Sequence, residues 1–455
     1  MRKIAGILIF ILTVLLCACS PIIKADYPVN SLASSIDGAI EIGTDFHMIT
    51  SPDITNYGSG NEQGFYSIFS NKDGSRNLMY IDYDSLNQIY LCYQPNCEHN
   101  SEKCNAWIAP FDGTVVPAVT EKQLFLIYSS YTQKAKVEQM DLSGDNKKTI
   151  FTFPNAILIE NAIAGNDHFW VFSVSEYAEV NHEVQKMSYL MALDLQTYRQ
   201  FPLFVLNEQL NTNDIESASL FFKGVTPSGF VVEAAVQYKY QIEESDVDKS
   251  FENMNRSMIH TIYNIPFDGS EPQKCLSYSN LQCEGMPYGD YFFYVKQKDN
   301  GMLSLNRFKF STGQSELLED DFAKDLLNVS LDQLGTGDVV FRNFFDGYLL
   351  VNVLTNSYIA ENGNIELEFT GVSIEQNTGK MQIIDLSNYY NATKVPVDII
   401  AQNSKKLLVF ASISPLEGSM GELGLLERKV GLINKADYLN SAPNFEMIDM
   451  IRAYS

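Results

Sequence analysis

Residues 220–236 read LFFKGVTPSGFVVEAAV, and residues 339–353 read VVFRNFFDGYLLVNV. Each opens on a short apolar segment, passes through a turn of small, polar or acidic residues, and continues into a strongly aromatic or aliphatic run. The pattern recurs as VVPAVTEKQLFLIYSS from Val115, ILIENAIAGNDHFWVFS from Ile157, LQCEGMPYGDYFFYV from Leu281 and VDIIAQNSKKLLVFAS from Val397. A divergent first copy, FHMITSPDITNYGSGNEQGFYSIFS, begins at Phe46. Aromatic and β-branched residues favour strands. Asp-Gly and Gly-Asp at the centres of these segments are the residues that hairpin turns require.

A second pattern follows each copy: strand, polar turn, strand. Examples are LMYIDYDSLNQIYLC from Leu78, YLMALDLQTYRQFPL from Tyr189 and TGVSIEQNTGKMQII from Thr370, with a weak last copy from Gly431. Four strands per unit, repeating every 45–70 residues or so, is the signature of propeller blades. One blade cannot bury both faces of its sheet, so blades stack around an axis. The fold expected is all-β, a single β-propeller of about seven four-stranded blades over residues 39–455, with six or eight as alternatives. Residues 39–49 are the expected closing strand, joining the final blade. Two β-sandwich domains are the rival, disfavoured because the repeat has no linker in its middle. Helices are confined to short stretches such as 246–255 and 320–328. The longest insertion, Gln241–Ser257, carries Glu243, Glu244, Asp246, Asp248 and Glu252, either as a functional loop or as a solvated excursion.

Outward from the blades, the N-terminus has a different character. Arg2 and Lys3 precede an uncharged apolar run, Ile4–Leu16, of 13 residues. That suits a signal-peptide core and falls short of the roughly 20 residues of a membrane span. The run ends in Leu16-Cys17-Ala18-Cys19, which resembles the bacterial lipobox. The resemblance implies diacylglycerol on the Cys19 thiol, cleavage after residue 18, and a tether over residues 19–38. The membrane is then a partner through the lipid on Cys19, and the domain lies on its extracytoplasmic face.

Hydrophobic residues make up 45% of the 455, enough for a sizeable core, and the formal net charge is −24. Losing Arg2 and Lys3 makes the mature chain more acidic still. Such a surface argues against nucleic acid as a partner.

Cys92, Cys97 and Cys104 lie in LCYQPNCEHNSEKCNAW with His99 between them, spaced C-x4-C-x-H-x4-C. Three thiolates and an imidazole suit a closed, structural zinc site that leaves no position open for catalysis. Outside the cytoplasm the competing use of cysteine is a disulfide. Cys97 with Cys104 and Cys275 with Cys283 are the candidate pairs, leaving Cys92 over; thiols that stay free are the third reading. Together the lipobox, the aromatic blades and the Cys-x4-Cys-x-His-x4-Cys-Asn-Ala segment resemble uncharacterised propeller lipoproteins of Gram-positive anaerobic bacteria. That resemblance implies a fold and a location, and no activity.

GxSxG, Walker, HExxH and EF-hand patterns are absent from the sequence. Ser70-Asn71-Lys72-Asp73-Gly74 is similar to the start of an Asp-box, but reads as a hairpin turn because the later aromatic is missing. His47, His168, His182 and His260 share no metal-binding spacing. Two function classes remain. One is a binding or scaffolding module holding a peptide, glycan or partner protein on the propeller face or in its channel. The alternative is a carbohydrate hydrolase or lyase using carboxylates near the axis.

Overall fold

In a computed structural model the described residues are 42–50, 58–180, 183–206, 214–242, 246–279, 283–298, 302–322, 338–359, 365–390, 393–415 and 426–452. The signal segment, Cys19 and the tether lie outside them. Seven antiparallel sheets follow one another along the chain, over residues 58–108, 114–152, 158–205, 215–279, 283–319, 339–384 and 399–447. Each has four strands in sequence order, innermost first, as a β-propeller; the first and third carry one extra strand each, and among the described residues a two-stranded hairpin, Ser387–Tyr390 with Thr393–Pro396, lies between the last two. The turns obey the local chemistry. Asp346 and Gly347 both take positive φ, 49° and 83°, between Val339–Phe345 and Tyr348–Ile359, the two-residue hairpin that Asp-Gly favours.

The second strand of each blade explains the apolar runs. A strand's side chains alternate between faces, and here each face meets a neighbouring blade. In Gln123–Ser129, Leu124 and Leu126 pack with Leu78 of the first blade, while Phe125 and Ile127 pack with Trp170 and Phe172 of the third. In Gly229–Tyr238, Phe230 and Val232 join Val171 and Leu190 of the third blade, whereas Val231 joins Phe292 of the fifth. The fifth blade's Phe293 and Val295 meet Leu349 and Val351, and Leu350 in turn meets Leu407 and Val409. Finally Leu408 and Phe410 of the seventh blade pack with Phe65 and Ile81 of the first. Seven blades thus make seven interfaces, and the ring is closed. Two independent sandwiches have no counterpart to the last of these.

Closure does not exchange a strand. The seventh blade already has its own outermost strand, Glu446–Met447. Past it, Asp449 accepts from the Gln88 N–H and donates to the Leu86 carbonyl, both at 2.8 Å. The Arg452 guanidinium reaches Asn71 Oδ1 and the Ser70 carbonyl, both at 2.9 Å.

The expected closing strand therefore goes elsewhere. His47–Thr50 pairs antiparallel with Leu158–Gly165, the innermost strand of the third blade. That edge faces the axis and presents unpaired backbone groups, which the added strand satisfies. Side chains hold it there: Thr50 Oγ1 accepts from the Ile163 N–H at 2.9 Å, Ser59 Oγ donates to the Ile49 carbonyl at 2.9 Å, and Phe46 packs on Phe230 and Phe267.

The insertion forms a helix, Val247–Ser257, its first turn capped by Asp246, which accepts from the Lys249 N–H at 3.0 Å. Residues 243–245 and 323–328 lie outside the described set. Ser70–Gly74 is a plain hairpin turn, with Asp73 accepting from the Ser75 N–H and hydroxyl. Among the described residues no helix is long and apolar enough to cross a membrane.

Candidate metal centre and axial cavity

The cysteine segment is an excursion in the outer edge of the first blade. Asn87–Tyr90 and Trp107–Ile108 both pair with Arg76–Asp82, one at each end of it, and residues 91–106 loop out between them. From Cys92 to Asn105 the only buried side chain is that of Cys104. Asn96 and His99 take positive φ, 58° and 54°, and turn the chain back on itself. One ligand atom from each of Cys92, Cys97, His99 and Cys104 falls within 4.8 Å of all the others. His99 Nδ1 is 3.3 Å from Cys104 Sγ. All three thiols are free, so the expected Cys97–Cys104 bridge is not made.

The surroundings hold this arrangement. The His99 ring stacks on Tyr90 with centroids 4.2 Å apart, and its carbonyl accepts from Asn77 Nδ2 at 2.8 Å. The His99 N–H donates to Cys97 and, with sulfur contacts from Cys104 and Cys92, holds that thiol below its ordinary range. Burial, then contacts with Cys97 and Cys92, push Cys104 up to about 12. Burial lowers His99 and so favours the neutral imidazole. Lys147, from the second blade, donates to the Asn105 and Trp107 carbonyls at 3.3 and 3.0 Å, and Asn105 donates to Asp145 at 2.7 Å. The loop is thereby tied to its neighbour.

The second candidate is a cavity of about 610 Å³ on the axis, walled by the innermost strands of blades one, four, five, six and seven and by the added strand His47–Thr50. This lies in the range of small-ligand sites. Lys223, Arg342 and Arg428 line it, and Asp398 is the one acidic residue among its lining. Arg342 Nε is buried without a hydrogen-bond partner, 3.8 Å from Asp398 Oδ1. Tyr288 and Phe344 form an apolar wall, stacked at 3.9 Å between centroids.

Lys223 leads to a polar cluster that sequence reading missed. Its ammonium is 2.9 Å from Glu233 Oε2, and His260 Nδ1 is 2.7 Å from Glu233 Oε1. Burial would raise the Glu233 carboxyl, but Lys223 and His260 hold it far below the usual range. The signal was present: Glu233 interrupts the apolar run of residues 230–236. Glu284, on the innermost strand of the fifth blade, is reached by solvent yet surrounded by protein, and its carboxyl is raised to about 7 by burial against the opposing pull of Lys223.

The other expected site residues are dispersed. Cys275 is a free thiol on the outer strand Gln273–Ser279, its sulfur donating to the Gln273 carbonyl at 3.3 Å rather than bridging. Cys283 begins the next blade's innermost strand, and its side chain is outside the described set. His47 is exposed on the added strand, next to Met48 but not itself among the residues lining the cavity; His168 bonds Gln196 at 2.9 Å, and His182 is outside the described residues.

No family model and no curated protein sequence matches the chain. Among solved structures it is similar to a puromycin-hydrolyzing peptidase of Mycobacterium tuberculosis, with TM-score 0.45 and 8% identity over 93% of this chain and 56% of that one. A puromycin hydrolase gives TM-score 0.46 and 10% identity over 94% of this chain and 57% of that one. An uncharacterized protein of Listeria monocytogenes gives TM-score 0.41 and 11% identity over 93% and 98% of the two chains. The chain spans little more than half the length of the two hydrolases.

Proposed function

We propose that the protein is a binding module, lipid-anchored through Cys19 on the extracytoplasmic face of the membrane, that takes the carboxylate end of a short peptide into its axial cavity. One observation carries this reading: in a chain of net charge −24, Lys223, Arg342 and Arg428 from three different blades line a cavity whose one acidic lining residue is Asp398, with Lys223 also held by Glu233 behind the wall. Arg342 Nε is a buried donor that makes no hydrogen bond, with Asp398 Oδ1 3.8 Å away beyond hydrogen-bonding distance, and a ligand oxygen would satisfy it. Gly58, Gly60, Gly224 and Gly289 are among the lining residues, and of these Gly289 is exposed, which puts main chain at the wall as recognition of a peptide requires. Membrane location rests on the lipobox-like segment ending at Cys19.

The alternative, a carbohydrate hydrolase or lyase, draws on Glu233 and Glu284, whose environments push their carboxyls in opposite directions. Neither is among the residues lining the cavity. Titration calorimetry with short peptides bearing a free or an amidated C-terminus tests the preferred reading. Free-carboxylate peptides should bind, amidated ones should bind at least about tenfold more weakly, and Arg342→Ala should remove the difference, since charge-assisted contacts are worth about 1.5–3 kcal/mol. Equal affinity for both forms contradicts it.

A further inference from the structure

We propose that Cys92, Cys97, His99 and Cys104 bind one zinc ion in a closed tetrahedral site that fastens the first blade to the second. Zinc bonds of about 2.3 Å to sulfur and 2.0–2.1 Å to nitrogen place neighbouring ligand atoms of a tetrahedron about 3.5–3.8 Å apart. The four ligand atoms already lie within 4.8 Å of one another, and the His99 Nδ1 to Cys104 Sγ distance of 3.3 Å is close to such an edge. Separations of up to 4.8 Å need to close by about 1 Å to reach tetrahedral edges, a shift that an exposed loop accommodates. The ligand set is of mixed thiolate and imidazole type, which selects zinc over the oxygen-seeking cations.

The outer shell matches the role. Backbone N–H groups of His99 and Ala106 donate to the sulfurs of Cys97 and Cys104, as donors around bound thiolates do. Three thiolates on a divalent ion leave one net negative charge. The Lys147 ammonium, fixed on the carbonyls of Asn105 and Trp107 beside Cys104, faces it. The need for a staple is visible in the loop itself. Residues 92–105 bury one side chain and hold two non-glycine residues at positive φ, a backbone that apolar packing does not maintain there. With the loop fixed, Asn105, Asp145 and Lys147 join the outer edges of two blades whose inner contact is the Leu78–Leu124 core. All four positions are filled by protein, so the ion has no vacancy for substrate or water. Its role is structural.

The test uses the full chain purified in detergent without added metal. Elemental analysis should find one zinc per chain, and replacement by Co(II) should give the intense visible bands and sulfur charge-transfer absorption of a tetrahedral thiolate site. Cys97→Ser should weaken zinc binding by more than about 100-fold, beyond the 10–100-fold that outer-shell changes cost, while Cys275→Ser should leave the stoichiometry at one. Should Cys97→Ser fail to fold, the wild-type Co(II) spectrum decides alone. Three freely titrating thiols without metal, a Cys97–Cys104 disulfide by mass, a stoichiometric metal other than zinc, or loss of zinc in Cys275→Ser would each overturn the proposal.

Discussion

Closure of the ring can be weighed with a matched pair of substitutions. Phe410 is 3% exposed at the seam between the last blade and the first, and Phe293 is 0% exposed at the seam between the fifth and sixth. Truncating a buried Phe to Ala costs about 3–5 kcal/mol in lost transfer energy and residual cavity. At Phe410 the Arg428 guanidinium lies 5.3 Å from the ring centroid, adding about 0.5–1 kcal/mol. If the seams are equivalent, both variants lose about 4 kcal/mol. Unfolding entropy of about 2.1 cal/mol/K per residue, over roughly 410 residues, amounts to about 0.9 kcal/mol/K, so each variant should melt about 4–5 °C below wild type. Urea titration with tryptophan fluorescence, checked by calorimetry, measures both. An open ring would leave Phe410 facing solvent. Phe410→Ala costing under about 1 kcal/mol, beside a full penalty for Phe293→Ala, would contradict closure.

Cys19→Ala should leave an uncleaved precursor or release the protein from the lipid-anchored fraction; a processed, detergent-partitioning variant would assign the lipid elsewhere. Glu284 has a folded pKa raised to about 7, above its unfolded value, so its contribution to stability is fully present below about pH 4.5 and lost as pH rises through 7. Glu284→Gln should accordingly gain in urea midpoint over wild type at pH 8 and not at pH 4.5, whereas parallel pH profiles would show that the group is unperturbed. Glu233 is shifted the opposite way, so the stability it contributes is present above its unfolded value and lost in strong acid. Glu233→Ala, which strands Lys223 and His260, should cost about 3–5 kcal/mol at pH 7 by the same urea titration; a loss under about 1 kcal/mol would remove the cluster from the fold's support.

The blades were legible because their signals are local. A two-residue turn such as Asp346–Gly347 and an apolar run such as Phe292–Val295 are complete within one stretch of chain, and the double burial of each second strand turns alternation into continuous hydrophobicity. The cysteine cluster was legible for the same reason, since its four residues lie within thirteen positions. The partner of His47–Thr50 was not. Its place depends on an unpaired sheet edge more than a hundred residues away, and edge strands of seven blades look alike in sequence. Nor was the axial cavity. Lys223, Arg342 and Arg428 each read as ordinary polar residues near a turn or strand end, and only the ring brings them together. Glu233 could have been singled out as a charge inside an apolar strand, but His260 and Lys223, which balance it, come from neighbouring strands whose register the sequence does not specify.

The binding reading meets its most direct test in photo-crosslinking. A short peptide with a free C-terminal carboxylate and a photoreactive group at the adjacent side chain is bound to the full chain, irradiated, digested and mapped by mass spectrometry. Crosslinks should concentrate on Met286–Gly289 and Ile399–Gln402, the strand ends that wall the axial cavity, and should be lost in Arg342→Ala. Crosslinks that map instead to the outer strands or to the helix Val247–Ser257, unchanged in that variant, would contradict an axial binding site.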